Sequence, residues 1–239
     1  MKPIYRFPFW YLPLLVFSLL GMEGIAQDYK ADLEKMYRIY EKATDVYMKM
    51  RIRAYTNEQP TQALFEKKAT IRKQGNNYLY DLDDSRMLIN DRYQVIVDRS
   101  EKMILLEKRE AEPEQQLGQW RTPELDSILS KHPNVEYKGI EEGGKCYVVE
   151  DGEQMIKKVK VIIDQDSGLL KKLTYWYNDQ FYLQQNGFVI IDFKEANVNP
   201  EFAENTFSES QFIQKKDKEF LPVSTYKNYE IVNTVDYEF

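Results

Sequence analysis

From Thr44 to Lys108 the apolar residues recur at every second position, in short runs broken by Gly, Asn and Asp, and few folds accept such a chain. Val46, Met48, Met50, Ile52 and Ala54 fall on one side of the first run. Tyr47, Lys49, Arg51, Arg53 and Tyr55 fall on the other. Successive side chains of a strand point to opposite faces, so this run is a strand with one apolar and one charged surface. A strand of that kind covers an interior on one side only, as antiparallel sheets do. Runs at 65–73, 78–82, 86–89, 93–98 and 103–108 follow, with turns at Gln74-Gly75-Asn76-Asn77, Asp83-Asp84, Asn90-Asp91 and Ser100-Glu101. Short alternating runs at this spacing predict an antiparallel meander. A second meander is expected over 135–140, 146–150, 156–164, 169–178 and 187–193, where Asp164-Gln165-Asp166-Ser167-Gly168 reads as a hairpin turn.

Two helices break the alternation. Leu33, Met36, Tyr37 and Tyr40 share one face of a helix expected over 29–41, with Asp28 or Asp32 near its start. Thr122-Pro123-Glu124 has a cap residue followed by Pro at the first helical position, which predicts a short central helix ending before Pro133. The fold class that follows is mainly β with α: one curved antiparallel sheet, or an incomplete barrel, lidded by the two helices.

The first 27 residues read as an export leader. Lys2 and Arg6 precede a short apolar run, Leu12 to Leu20, and Gly24-Ile25-Ala26 supplies small residues for cleavage. Without the leader's Lys2, Arg6 and Glu23, the 33 basic and 39 acidic residues become 31 and 38, a net charge of −7. That balance opposes sequence-independent nucleic-acid binding, which requires a basic surface. Cys146 is the sole cysteine, so no disulfide forms within the chain, and its strand-like setting marks it as a small core residue.

Catalytic constellations are missing from the sequence. His132 is the single histidine, so neither a histidine-based zinc site nor a His-based triad can be assembled. Asp164/Asp166 and Glu150/Asp151 are read as turn chemistry and exposed acid. Glu142-Gly143-Gly144 reads as a hairpin turn rather than a phosphate loop. No enzyme, cofactor or metal is expected.

Two blocks, Met87-Leu-Ile-Asn-Asp-Arg-Tyr-Gln-Val-Ile-Val97 and Asp192-Phe-Lys-Glu-Ala-Asn-Val-Asn-Pro-Glu-Phe202 leading to Phe207, resemble the Asp-turn hairpin and closing strand of LolA/LolB-type proteins of the bacterial envelope. Val46-Tyr-Met-Lys-Met50 resembles the first strand of that superfamily, and 159–175 its later strands. The resemblance spans 28–213, with 214–239 as an extension expected to add one strand. It implies a half-barrel of about eleven strands around an apolar cavity. The implied function is a soluble periplasmic carrier of lipid or of lipoprotein acyl chains, which takes its load from an inner-membrane transporter and delivers it to an outer-membrane acceptor. An alternative use of the scaffold is as a protein–protein module of an envelope assembly or sensing complex.

The parity of the strands nominates Val46, Met48, Met50, Ile52, Met87, Ile89, Val95, Val97, Val161, Ile163, Leu173, Tyr175, Ile191 and Phe193 as cavity-facing. The same parity describes a filled core. The superfamily's lid latch, an Arg reaching backbone carbonyls, has its nearest counterpart here in Lys73, with Arg72 beside it.

Overall fold

The structure is a computed structural model that describes residues 24–109, 135–150, 156–177, 187–217 and 219–235. The expected leader, the expected central helix and His132 lie outside these residues, except that Gly24–Gln27 belong to the first helix. That helix, α1, is Gly24–Lys42 and starts earlier than its apolar spacing predicts. It ends on Lys42, whose charge complements the helix C-terminus.

Fourteen strands follow among the described residues. The first meander is β1 (Asp45–Thr56), β2 (Phe65–Gln74), β3 (Asn77–Leu82), β4 (Ser85–Ile89), β5 (Tyr93–Asp98) and β6 (Met103–Lys108). The second is β7 (Val135–Glu141), β8 (Gly144–Glu150), β9 (Ile156–Asp164), β10 (Leu170–Tyr177) and β11 (Gly187–Val198). The C-terminal part adds a small hairpin, β12 (Ile213–Lys216) with β13 (Glu219–Pro222), and a last strand, β14 (Glu230–Asn233).

Twelve of these strands form one large, curved, unclosed sheet in the order β14-β6-β5-β4-β3-β2-β1-β11-β10-β9-β8-β7. β1 lies at its centre, bonded to β2 on one side and β11 on the other. The β1–β11 register slips by one residue between Lys49 and Met50, a bulge that bends the sheet where its halves meet. Every pairing in this sheet is antiparallel except that of β14, which adds to β6 in parallel.

Local chemistry sets the turns. Asn90 Oδ1 accepts from the backbone N–H of Arg92 and Tyr93, and its own N–H donates to the Tyr93 carbonyl at 3.0 Å, closing the β4–β5 turn. Asp164 accepts from the Ser167 N–H at 3.0 Å and from its hydroxyl at 2.9 Å, while Gly168 takes φ +70° to complete the β9–β10 turn.

The sheet has two cores, one on each face. On the inner face, α1 lays Tyr29, Leu33 and Met36 against Tyr147, Val149, Val159, Val161, Ile163, Leu173 and Tyr175 of β8–β10. On the outer face of the other half, Leu79, Leu88, Val95, Val97, Ile104 and Leu106 of β3–β6 pack against Phe207, Phe212, Ile213 and Tyr226. The second core is built by the chain after β11, which straps the back of the first meander. Asn90 Nδ2 donates to the Phe207 carbonyl at 3.2 Å and to Glu209 at 2.8 Å. Arg92 also pairs with Glu209, and Thr234 N donates to the Leu106 carbonyl at 2.9 Å.

Candidate functional site

Strand registers assign each side chain to a face, and they correct the sequence reading at one hairpin. Met87 pairs with Ile96, and Leu88 with Val95. Met87 and Ile89 are therefore on the inner face, whereas Val95 and Val97 are on the outer one, buried in the C-terminal strap. The physical reason is the two-residue turn Asp91-Arg92, across which an odd-numbered residue faces an even-numbered one. The inward residues of β5 are Gln94 and Ile96.

The other nominated residues lie on the inner face in two environments. Val46, Met48, Ile89, Val161, Ile163, Leu173 and Tyr175 are buried, most of them beneath α1. They form filled core. Met50, Ile52, Met87, Ile191 and Phe193 are half-buried. Ile191 and Phe193 pack against the core beneath α1, whereas Met50, Ile52 and Met87 belong to the part of the inner face that extends across β1 to β6.

One apolar row crosses that region at right angles to the strands. The registers align Met48, Ile71, Tyr80, Met87, Ile96, Leu105 and Val232 on β1, β2, β3, β4, β5, β6 and β14. Six inter-strand steps of about 4.8 Å make it roughly 29 Å long. Ile71, Tyr80, Met87, Ile96 and Leu105 are all half-buried, and Val232 is exposed. Burial pushes the Tyr80 hydroxyl up to about 12. Sequence parity missed Ile71, Tyr80, Ile96 and Leu105. The signal that would have found them was turn length, because it fixes how parity carries from one strand to the next.

The row has polar flanks at β4–β6. Gln94 Nε2 donates to Glu107 at 3.1 Å on one side, and Ser85 and Asp98 stand opposite each other on the other. Methionines are frequent beside it: Met48, Met50, Met87 and Met103 all point inward. A flexible, polarizable thioether adapts to guests of different shape.

Two polar contacts hold α1 over the sheet. Asp32 accepts from the Tyr147 hydroxyl and pairs with Lys145 at 2.8 Å. At the other end, Lys73 Nζ donates to the carbonyls of Thr44 at 3.2 Å and Ala43 at 3.5 Å, just past the helix C-terminus. Burial lowers the Lys73 pKa against the pull of Asp45. Arg72 is not part of this contact, because it faces outward with its guanidinium 5.6 Å from the centre of the Tyr47 ring. A separate depression of about 380 Å³ on α1 is lined by Ala31, Glu34, Lys35, Arg38, Ile39 and Lys42. Its charged lining does not suit a hydrocarbon guest.

Among the described residues, no group of three or more His, Cys, Asp or Glu side chains is placed to hold a metal ion. No described helix is long and apolar enough to cross a membrane. Cys146 is fully buried on the outer face of β8, and burial pushes its thiol pKa up.

No protein-family model matches the chain, and no curated protein matches its sequence. Solved structures do resemble it at low identity. An uncharacterized conserved protein from Thermus thermophilus is 7% identical, covering 86% of this chain and 99% of its own, with a TM-score of 0.46. A LolA superfamily protein from Nitrosomonas europaea is 13% identical over 78% of this chain and 99% of its own, with a TM-score of 0.34. The lipoprotein LppX of Mycobacterium tuberculosis is 12% identical over 73% of this chain and 97% of its own, with a TM-score of 0.37. These are likenesses of fold.

Proposed function

We propose that this chain is a non-enzymatic carrier that holds an acyl chain, of a lipid or a lipidated protein, along the inner face of β1–β6. The observation that carries this reading is the two-sided division of the first meander. Its outer face is a filled core covered by the C-terminal strap, while its inner face presents a half-exposed apolar row. The strap stabilises the strands from behind, so the inner face is left free to take a guest.

The dimensions suit hydrocarbon. One leaflet of a bilayer is about 15 Å of acyl chain, half of the roughly 30 Å core, and the row is about twice that. Each methylene moved from water onto such a surface contributes about 0.8 kcal/mol, so a chain of ordinary length binds without specific hydrogen bonds. In this reading residues 1–27 are a cleaved export leader and the mature chain works in the periplasm. An inner-membrane transporter would load it, and an outer-membrane acceptor would receive the load. The α1 helix acts as lid, with Lys73 as its latch.

The test is native mass spectrometry with lipid extraction on the chain purified from an envelope fraction. Co-purified acyl chains, lost in Met50→Asp and Met87→Asp variants that keep the fold, are the expected result. A clean unliganded mass that takes up no added lipopeptide refutes the proposal, and the scaffold would then be a protein-docking module.

A further inference from the structure

The apolar row on the inner face differs at its two ends. At β1 it stops on Met48, which is 5% exposed and packs with Ala43 and Val46 against Tyr40 of α1 and Phe193 of β11. At the other end Val232 is 38% exposed on β14, the last strand of the sheet. Between them Ile71, Tyr80, Met87, Ile96 and Leu105 are half-buried. The row is a groove stopped at one end and open at the other.

The side chains flanking the row change in the same direction. On β1–β3 the inner residues to either side of it are Val46, Met50, Ala69, Tyr78 and Leu82, together with Lys73, whose ammonium donates to the Ala43 and Thr44 carbonyls. On β5, β6 and β14 the flanks are Gln94 and Asp98, Met103 and Glu107, and Glu230 and Thr234. Glu107 accepts from Gln94 Nε2 at 3.1 Å, Asp98 accepts from the Ser100 N–H at 2.8 Å, and Glu230 is exposed. Among the described residues, the inner face of these three strands therefore carries three carboxylates and no cation.

These two gradients act on a guest that is apolar at one end and polar at the other. Apolar surface gains most where it is most fully removed from water, so a hydrocarbon tail is most stable at the β1 end. A polar head placed there would lose its hydration and find no partner, whereas at the β14 end it keeps water and meets side-chain acceptors. The sign of the head matters as well. A carboxylate or phosphate beside Glu107 and Glu230 is repelled, and an ammonium is attracted.

We infer that the groove is directional and selects the charge of its guest's head. An acyl chain lies with its tail toward Met48 and its head among β5, β6 and β14, and a head bearing an ammonium is taken in preference to a carboxylate or a phosphate. This inference rests on the carrier reading and adds to it an orientation and a head class. It also gives the C-terminal segment a second use, since β14 forms the lip at which the head emerges while the rest of the strap braces the opposite face.

The test is photo-crosslinking of the purified chain with palmitoyl-ethylenediamine that carries a diazirine either at the end of its tail or beside its head, with the labelled residues mapped by mass spectrometry. The tail label is expected on β1–β3, at Met48, Met50 and Ile71, and the head label on β5, β6 and β14, at Ile96, Met103 and Val232. Titrations then compare N-palmitoyl-lysine amide, standing for an acylated peptide, palmitoyl-ethylenediamine, standing for an amine-headed lipid, and palmitate. Both cationic probes bind about fivefold more tightly than palmitate, the tighter of the two identifying the source of the head, and Glu107→Gln combined with Glu230→Gln removes the preference. Reversed or identical maps for the two labels, tighter binding of palmitate, or a preference that survives the double substitution would each overturn the inference and leave the carrier reading standing. A chain that takes up none of the three probes would overturn both.

Discussion

Met87 and Leu88 are neighbours on β4 that face opposite ways, so replacing each in turn distinguishes a groove from a core. Leu88 is fully buried among Leu79, Val95 and the strap. Truncating such a leucine to alanine removes its transfer energy and leaves a cavity, which together cost about 3–4 kcal/mol. Met87 is half-buried on the inner row, so Met87→Ala forfeits only part of the burial, about 1 kcal/mol. For a chain of this size each kcal/mol lowers Tm by roughly 2–4 °C. Leu88→Ala should therefore fall by roughly 6–16 °C, and Met87→Ala by roughly 2–4 °C. Calorimetry and urea titration measure both. Titration with a fluorescent fatty-acyl probe should show the reverse order: Met87→Asp weakens uptake about tenfold or more, and Leu88→Ala leaves probe affinity near the parent value. Equal losses of stability from Met87→Ala and Leu88→Ala would refute the division into an open and a filled face. So would weaker probe binding in Leu88→Ala than in Met87→Asp.

Three further outcomes follow from the same geometry. Truncation after Lys216 removes Phe220, Val223, Tyr226, Tyr229 and Ile231 from the outer core, at about 1.5–3 kcal/mol per fully buried side chain. Only Tyr226 is buried and the other four are half-buried, so the loss is a large part of the usual net stability of about 5–15 kcal/mol, and the truncated chain should unfold at a markedly lower urea concentration. Asp192 is buried against Arg53 at 2.6 Å, with Arg51, Lys172 and Lys194 at 3.6–3.8 Å. Burial works to raise its pKa, but the Arg53 hydrogen bond and the surrounding cations outweigh it and hold the carboxyl below its ordinary value. A depressed carboxylate contributes stability above its unfolded pKa of about 3.9 and loses it as pH falls through the folded value. Asp192→Ala should then cost roughly 3 kcal/mol at pH 7 and flatten the acid limb of the stability–pH curve measured by urea titration. Lys73→Met removes the donor to the Ala43 and Thr44 carbonyls and should speed amide exchange in α1 more than in β8–β10, for a loss of about 1.5 kcal/mol.

How much of this was legible in the sequence depended on the range of the interaction that decided each element. The strands of both meanders were visible because period-two alternation and turn residues are local signals, and β1 shows them most clearly. The face of each strand was legible only as far as the turn geometry was. Val46, Met48, Met50 and Ile52 share one face of β1, as their alternation requires, while one two-residue turn puts Val95 and Val97 on the face opposite to Met87. The half of the inner face that α1 fills could not be separated from the half it leaves open, because Val161 and Met87 carry the same alternation. The outer core was invisible. Its C-terminal half consists of short irregular pieces whose partners lie more than 100 residues earlier, such as Ile231 opposite Ile104. The role of Lys73 in bridging to the chain after α1 was suggested only by resemblance, since a lysine near a turn has no sequence signature of its target.

The account rests on an acyl chain lying on the inner face of β1–β6, and methyl NMR of methionine tests that most directly. Met50, Met87 and Met103 project from this face on three different strands, while Met36 lies in the α1 core. Titration with a fatty acyl chain should shift the methyl signals of Met50, Met87 and Met103 in proportion to occupancy and leave that of Met36 in place. Shifts confined to Met36, or none at Met87 and Met103 when the acyl chain is fully bound, would contradict it.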